Sequence, residues 1–520
     1  MTSRQTDKDS DAVRDAFPLR LGTAEHFAAA REFFRTSGFN EPTILNVLKL
    51  GDMADLSGIK LDEVEIKPAS ETLLLLIRLF LFTEPAPRMK VERLIDAGSL
   101  ESLLALDMIR LGHLPAYQDD EVYYTPVFVY PVDEFVVASD RRSNPDGSGF
   151  TPPPDIVFPA IFGGTLFFLK MIGKQPARSV LDLCSGSGIG ALVLSKICDR
   201  VVAADITPRA THFAHFNCQL NERTNVDVVR GDLYQPVAGE KFDRVIAHPP
   251  YVPTLQKTAI YRDGGETGEI ISKRIVEGLP EHLQPGGTFY SVCMGLDTND
   301  ARFEHRARSW LGESQAEFDV LFGLSDDRAP KDFAVETVVA AHGYEIGDVR
   351  RWEEFFREAG VRKLVYGVLV IHRLAAGSEL EPATVRLRTS THTDGNAFDR
   401  WISWRHWRQR ADALESLAKT RARLSAHTRL RVTHTMQDAA LLPTEFMLET
   451  DRPFLAGSRI DASIAQVVAE LNGARSFEEI FEAARELGVL ADVVTLGDFL
   501  ATMASLIERG FVELDTIPGS

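Results

Sequence analysis

The 520-residue chain has few cysteines, no long apolar runs and a shortage of positive charge. Its four cysteines have spacings that match neither a disulfide scaffold nor paired zinc ligands, so we expect free thiols and no bound metal. The apolar run at residues 73–82 is interrupted by Arg78 and is shorter than the ~20 residues that cross a bilayer. These shortages exclude a disulfide-rich scaffold and a membrane span, and the apolar run predicts a buried helix.

Acidic residues outnumber basic ones by 75 to 57, which makes the formal net charge −18. This charge repels polyphosphate and disfavours a nucleic-acid partner unless a local basic patch compensates, whereas cationic or neutral substrates fit more easily. The N-terminal residues are polar and lack the apolar segment of a secretory signal. We therefore expect a cytoplasmic protein without a nucleic-acid partner.

Hydrophobic patterns divide the chain into four predicted segments. Residues 1–149 have helical periodicity and end in a strand-like stretch at 122–130, which predicts a helical, winged-helix-like accessory domain. Residues 150–375 alternate strand and helix signals, which is typical of an α/β fold with a parallel sheet. The predicted strands are 178–183, 200–205, 226–230, 242–247, 287–294 and 363–373.

The C-terminal part is predicted to contain a linker and helical segment, 376–450, followed by a small winged-helix-like domain, 451–520. The helical stretch from Phe398 to Leu430 carries three tryptophans at three-residue spacing, which favours docking on a neighbouring domain; its interleaved arginines leave RNA contact as the alternative. Residues 464–480 resemble PqqD-like peptide-binding proteins. Packing or dimerisation explains that segment as well as peptide capture does.

A Gly-rich turn lies between an apolar strand and a predicted helix. Gly186, Gly188 and Gly190 lack the Cβ atoms that would keep a ligand away from backbone N–H groups, and Cys184 and Ser185 begin the turn. Such turns are typical of sites for nucleotide-derived cofactors. By itself the turn does not distinguish a methyltransferase from a dehydrogenase.

Two acidic residues beyond the turn help to distinguish a methyltransferase from a dehydrogenase. Asp205 ends the next apolar strand, 23 residues after Asp182, at a position where a carboxylate accepts both hydroxyls of a ribose. Asp232 follows a third strand, where it can accept the amino hydrogens of adenine. Either aspartate alone would be explained as a helix N-cap, but the ordered series of features argues against that explanation.

At this point the chain resembles the class I S-adenosylmethionine-dependent methyltransferases, most closely the release-factor glutamine methyltransferase group. The resemblance covers Asp182 to Gly287 and implies an α/β, Rossmann-like class I methyltransferase fold with S-adenosylmethionine as cofactor. It is carried by motifs in one order: Asp182 with the Gly-rich turn, residues 205–210, Asn217, Asp232-Leu233, His248-Pro249-Pro250-Tyr251, residues 262–268 and residues 283–287.

The resemblance also implies roles for individual residues. The methionine moiety would contact Asp182 and the turn, the ribose would contact Asp205, and the adenine would contact Asp232 and Leu233. Residues 151–154 would roof the cofactor as a comparable family segment does. The full predicted cofactor set is Asp182, Ser185, Gly186, Gly188, Asp205, Ile206, Asp232, Leu233 and His248.

The loop His248-Pro249-Pro250-Tyr251 departs from the family at its first residue. There the family has Asn or Asp, whose side-chain oxygen accepts a hydrogen bond from a planar amide or an exocyclic amine together with the first proline carbonyl. A neutral imidazole accepts one hydrogen bond, and with an ordinary pKa near ~6.5 it can also take a proton. His248 therefore suits an acceptor that must lose a proton, or it only stabilises the loop of an enzyme that grips its substrate elsewhere.

Asp263 and Glu266 follow this loop, where carboxylates face either a cationic acceptor or solvent. We predict that His248, Pro249, Pro250, Tyr251 and Glu266 are catalytic. The predicted function is N-methylation of an amino-acid-derived or other small amine, guanidine or amide acceptor in specialised metabolism, by a possible homodimer. The alternatives are a protein or RNA methyltransferase, an O-methyltransferase with His248 as base, and a non-catalytic protein that binds S-adenosylmethionine or peptides.

Overall fold

The chain divides into two compact units. The computed structural model describes residues 17–56, 59, 61, 65–117, 120–255, 260–340, 346–438 and 440–514. The first unit comprises Met1–Lys170 and Gln175–Met294, and the second comprises Met171–Lys174 and Gly295–Ser520. The division into four domains that we predict from sequence stays a prediction.

Short helices make up the N-terminal part of the first unit. Side-chain oxygens of Thr23, Asn40 and Ser70 cap three of them by accepting hydrogen bonds from first-turn backbone N–H groups. The predicted buried helix at 73–82 is confirmed, with a π-helical turn at Ile77–Leu81. The α-helices are α1 (Ala24–Thr36), α2 (Glu41–Leu48), α3 (Glu71–Leu76), α4 (Arg88–Leu94) and α5 (Ala97–Ala105).

Two small antiparallel sheets follow these helices. The stretch predicted as one strand at 122–130 is two strands, because the chain turns at Thr125-Pro126, where the Thr125 side chain bonds the backbone of Val127. β1 (Ala86–Pro87), β2 (Arg110–His113) and β3 (Glu121–Tyr124) pair in the order β1-β3-β2, and β4 (Val127–Val132) forms a hairpin with β5 (Phe135–Asp140).

A parallel sheet forms the rest of the first unit. Its order is β8-β7-β6-β9-β10, and its central strands are buried on both faces, as their continuous apolar runs predict. The order reverses between β6 and β9, and α/β sheets bind ligands at the carboxyl ends of the strands beside such a reversal. The elements are α6 (Gly163–Met171), β6 (Ala177–Leu183), α7 (Ile189–Leu194), β7 (Cys198–Asp205), α8 (Pro208–Leu220), β8 (Val226–Arg230), β9 (Phe242–Ala247), α9 (Ile270–His282) and β10 (Leu283–Thr298).

In the second unit, two further strands lie on one side of a predicted strand. β12 (Val361–Arg373) confirms the prediction at 363–373, and it pairs antiparallel with β11 (Phe318–Arg328), which in turn pairs parallel with β13 (Thr384–Arg388). We did not predict β11 or β13 from sequence. The helices of this part are α10 (Phe303–Ser309), α11 (Pro330–Ala340) and α12 (Ile346–Glu358).

The helix predicted from Phe398 to Leu430 is wrong in its second half. The chain forms α13 (Gly395–Arg408) and α14 (Ala413–Ala418), and then the strands β14 (Arg421–Leu424) and β15 (Arg429–Gln437). β14 pairs with β18 (Asn472–Ser476) and β19 (Val512–Leu514). Since these partners are distant in sequence, tertiary pairing overrides local helical propensity here.

Two tryptophans of α13 are packed in a core, as the docking interpretation predicts, but within one compact unit. Trp404 and Trp407 are buried in one apolar core with the C-terminal helices of the second unit. The remaining elements are β16 (Ala440–Thr450), β17 (Ala456–Ile460), α15 (Ala462–Ala469), α16 (Phe477–Glu486) and α17 (Leu496–Glu508). Within the described ranges, no helix is long and apolar enough to cross a membrane.

Candidate active site

A cavity of about 680 Å³ opens at the carboxyl ends of β6, β7 and β9, within the first unit. This volume is in the range of small-molecule and cofactor sites. The predicted cofactor residues line it with the exception of Gly188, and so do Pro249, Pro250 and Tyr251. The structure therefore brings together residues from four separate sequence motifs.

The Gly-rich turn has the backbone shape that its glycines predict. Gly186 and Gly188 have φ angles of 54° and 79°, and Gly188 caps α7. A Cβ on Gly190 would lie 2.8 Å from Asp182 Oδ2. Ser185 Oγ is buried at the cavity wall without a hydrogen-bond partner among the described residues. An unpartnered hydroxyl beside a glycine cradle fits a polar ligand.

Asp182 is hydrogen-bonded to the helix that follows the Gly-rich turn. Its Oδ2 accepts a hydrogen bond of 2.9 Å from the backbone N–H of Ala191 in α7, and its side chain is buried. Burial, together with the smaller effect of the nearby negative charge of Asp205, raises the pKa of Asp182 to about 8. A positive charge bound in the cavity would therefore lower the pKa of this carboxyl and favour its ionised form.

Asp205 lies at the end of β7. Its two carboxylate oxygens accept hydrogen bonds of 3.0 Å from the backbone N–H groups of Gly186 and Thr207. Burial raises its pKa. A carboxylate has about four acceptor positions, so Asp205 keeps capacity for the two hydroxyls of a ribose. The next residue, Ile206, is largely exposed at the cavity edge.

Asp232 has a partner that we did not predict from sequence. Arg274 of α9 donates a hydrogen bond of 2.8 Å from Nη2 to Asp232 Oδ2, and both residues line the cavity. This bond raises the pKa of Arg274. Contact between the other Asp232 oxygen and adenine stays a prediction. Leu233 beside it has a φ of 50°, a strained conformation for a leucine.

His248 follows β9 and is held between two aromatic rings. Its ring stacks on Phe168 of α6, with centroids 5.0 Å apart and planes 19° apart, and it lies 5.7 Å from the Tyr251 ring. Its nitrogens make no hydrogen bond to any residue of the described ranges. Burial lowers the pKa of His248 to about 4. The ring is therefore neutral at physiological pH and keeps one nitrogen as an acceptor.

Comparisons with known proteins agree with this arrangement. The family model of the methyltransferase small domain matches residues 160–298. A putative protein N5-glutamine methyltransferase of Methanocaldococcus jannaschii is 31% identical over 141 residues, which are 26% of this chain and 70% of that protein. The chain belongs to the class I S-adenosylmethionine-dependent methyltransferases.

Two further relatives are similar over a smaller share of their length. A ribosomal protein uL3 glutamine methyltransferase of Bradyrhizobium diazoefficiens is 33% identical over 183 residues, 32% of this chain and 57% of that protein. A release factor glutamine methyltransferase of Geobacter sulfurreducens is 32% identical over 154 residues, 27% of this chain and 54% of that protein. The chain thus spans about half the length of these two relatives. S-adenosylmethionine is the methyl donor of this enzyme family.

The β4–β5 hairpin holds segment 154–162, most of which lines the cavity and which we call the roof of the methyltransferase site. The roof begins at Pro154, so residues 151–153 of the predicted roof segment do not line the cavity. Tyr130 Oη accepts a hydrogen bond of 2.7 Å from the backbone N–H of Ala160, and Asp140 Oδ2 accepts one of 2.7 Å from the N–H of Val157. A buried ion pair ties Asp140 to Arg209 of α8.

Asn217 of α8 and Asn221 at the C-cap of this helix join that hairpin to the cofactor side of the site. Asn217 exchanges hydrogen bonds with the backbone N–H and C=O of Ala138, and it also donates a bond of 2.8 Å to the carbonyl of Ser187. Asn221 bonds the N–H and C=O of Val136 in the same way. The N-terminal region therefore packs against the methyltransferase site, which its separate sequence pattern did not indicate.

Glu266 lies apart from the other predicted catalytic residues. It is exposed and does not line the cavity, whereas Asp263 does. The segment that carries both residues is tied to the acceptor loop, because Val252 N–H donates to the carbonyl of Arg262 and Gly264 N–H donates to that of Val252. The structure therefore does not bring Glu266 together with the other predicted catalytic residues, and its catalytic role stays a prediction.

Proposed function

We propose that this methyltransferase transfers a methyl group from S-adenosylmethionine to a side-chain amide nitrogen of a protein. The names of the relatives support this proposal, since they act on glutamine of a ribosomal protein or a release factor. This favours the protein alternative over the small acceptor of specialised metabolism that we predict from sequence. The observation that carries the amide is the neutral His248 at the head of the loop.

A primary amide has two N–H hydrogens to place. The Pro249 carbonyl is a fixed acceptor for one, and the unprotonated nitrogen of His248 accepts the other. Two such bonds orient the nitrogen toward the methyl donor, and positioning of this kind contributes roughly 7–11 kcal/mol to methyl transfer. His248 thus accepts the hydrogen bond that the family's Asn or Asp accepts, although an imidazole ring differs in shape from those side chains.

The lowered pKa of His248 also favours some chemical classes of methyl acceptor over others. An alkylammonium or a hydroxyl loses its proton only to a strong base, and a ring with a pKa of about 4 is a weak one. An amide nitrogen is uncharged before the reaction. Once methylated it is strongly acidic, so a weak base or water removes its proton. This reasoning favours the amide over the amine, guanidine and hydroxyl acceptors.

The test is methylation of proteins with labelled S-adenosylmethionine. The purified enzyme is incubated with a release factor, with ribosomal protein uL3 and with a whole-cell extract, and labelled peptides are analysed by mass spectrometry. We expect protease-sensitive label on a glutamine or asparagine side chain. Label that is lost with RNase, or that is found only on small molecules, contradicts the proposal.

Matched histidine variants test the loop. His248→Ala removes the acceptor in the cavity, and we expect it to lower kcat by at least about tenfold at saturating S-adenosylmethionine. His434→Ala, which changes an exposed histidine of β15, is the control and keeps full activity. Equal activity of the two variants contradicts the role of His248.

A further inference from the structure

The orientation of the His248 ring depends on stacking. A functional histidine is usually oriented by a hydrogen bond from its second ring nitrogen to a carboxylate or carbonyl group. Here neither ring nitrogen bonds any residue of the described ranges, so the ring contacts with Phe168 and Tyr251 are left to hold the plane. The plane matters because the acceptor lone pair of an imidazole lies within it.

Helix α6 lies beside both His248 and Tyr251. Phe168 is only 3% exposed, so its own position is set by the core. Gly164, one turn earlier, lies beside the Tyr251 hydroxyl, since a Cβ there would be 3.5 Å from it, an ordinary van der Waals distance. One helix therefore contacts the first and last residues of the His248–Tyr251 loop. An amide side chain at 248 would have no ring face for Phe168 to stack on.

From this geometry we infer that Phe168 is a positioning residue, which holds the His248 ring so that its free nitrogen accepts a hydrogen bond from the methyl acceptor. The inference rests on the proposed function for the identity of that acceptor, but the ring pair itself does not depend on it. Phe168 and His248 then act as one specificity-determining pair in place of the family's single amide residue.

The stack also keeps water from one face of the imidazole. Burial is the one cause of the lowered pKa of His248, and Tyr251 is the titratable side chain in ring contact with it. Removal of the Phe168 ring admits water to that face. The pKa of His248 then rises toward its ordinary value, which gives a readout that does not need an acceptor.

The experiment is a double-mutant cycle of Phe168→Leu and His248→Asn in the full chain. NMR titration with ring-labelled histidine follows the His248 signal, which is assigned by its absence in His248→Asn. Calorimetry measures S-adenosylmethionine affinity, and peptide methylation gives kcat. Phe167→Leu is the matched control, because Phe167 is the adjacent residue of the same helix and does not line the cavity.

We expect Phe168→Leu to raise the pKa of His248 and to lower kcat by roughly tenfold or more, with cofactor affinity unchanged. In the His248→Asn background the same change should alter kcat by less than about twofold, because the amide does not use the stack. Phe167→Leu should alter neither quantity.

An equal loss of kcat from Phe168→Leu in both backgrounds, or an unchanged pKa, overturns the inference and leaves Phe168 as a core residue. If Phe168→Leu fails to bind S-adenosylmethionine, Phe168→Met preserves the volume without the ring, and the same criteria apply to it. If the pKa rises but no protein is methylated, the proposed function fails and the ring pair stands.

Discussion

The pKa of Asp182 makes the affinity for S-adenosylmethionine depend on pH. Without ligand the carboxyl is protonated below its pKa of about 8, so at pH 6 its ionisation costs about 3 kcal/mol, at about 1.4 kcal/mol for each pKa unit. The sulfonium of the cofactor is positive and stabilises the ionised carboxylate in the same cavity. Binding then releases a proton, and we expect affinity to rise from pH 6 to pH 8, by at most about tenfold per unit.

S-adenosylhomocysteine provides the control ligand, because it shares every titrating group of the cofactor but lacks the sulfonium charge. Calorimetry of both ligands from pH 6 to pH 9 should therefore give a steeper dependence for S-adenosylmethionine. Asp182→Asn has no charge to develop, while its amide oxygen can still accept from Ala191 N–H. In that variant we expect the affinities for the two ligands to change with pH in parallel. A parallel change in the unsubstituted protein would refute the reasoning.

Three other changes test how the site is built. Asp205→Asn places an amide NH₂ against one of two backbone N–H donors, so cofactor affinity should fall by at least about tenfold in calorimetry; an unchanged affinity argues against the ribose role. Asn217→Ala should lower the free energy of unfolding by about 2 kcal/mol or more and weaken cofactor binding. Asn221→Ala, which does not bond Ser187, should affect stability alone, and equal effects on binding would contradict this. Tyr130→Phe leaves the Ala160 N–H without its acceptor, so denaturation should show a loss of about 1–3 kcal/mol, and no loss would show that the roof is held otherwise.

Most of the residues predicted to bind the cofactor line the cavity, and their positions were predictable because the sequence signals are local; their contacts with the cofactor stay predictions. The Gly-rich turn, Asp182 and Asp205 each occupy a strand end or a tight turn, where a few neighbouring residues determine the backbone shape. The acceptor half was predictable only in part. Its loop was recognisable, but Glu266 seemed equivalent to Asp263 in the sequence, and only the fold shows that one faces solvent and the other the cavity.

The fold shows the same division. The parallel strands could be predicted from continuous apolar runs, whereas β11 and β13 were missed and β14 was assigned to a helix. β14 exists because β18 and β19 supply its hydrogen bonds from far along the chain. Local propensity is weak enough for such pairing to override it.

By itself the sequence determined the α/β class, the cofactor turn and the order of the motifs, because strand periodicity and glycine conformation are set within a few residues. The tertiary structure alone decided the Asp232–Arg274 pair, the hairpin that supports the roof, and the stack of Phe168 on His248, which lie 80 residues apart. Such contacts set the charge and orientation of a side chain, and they form only when distant segments pack together.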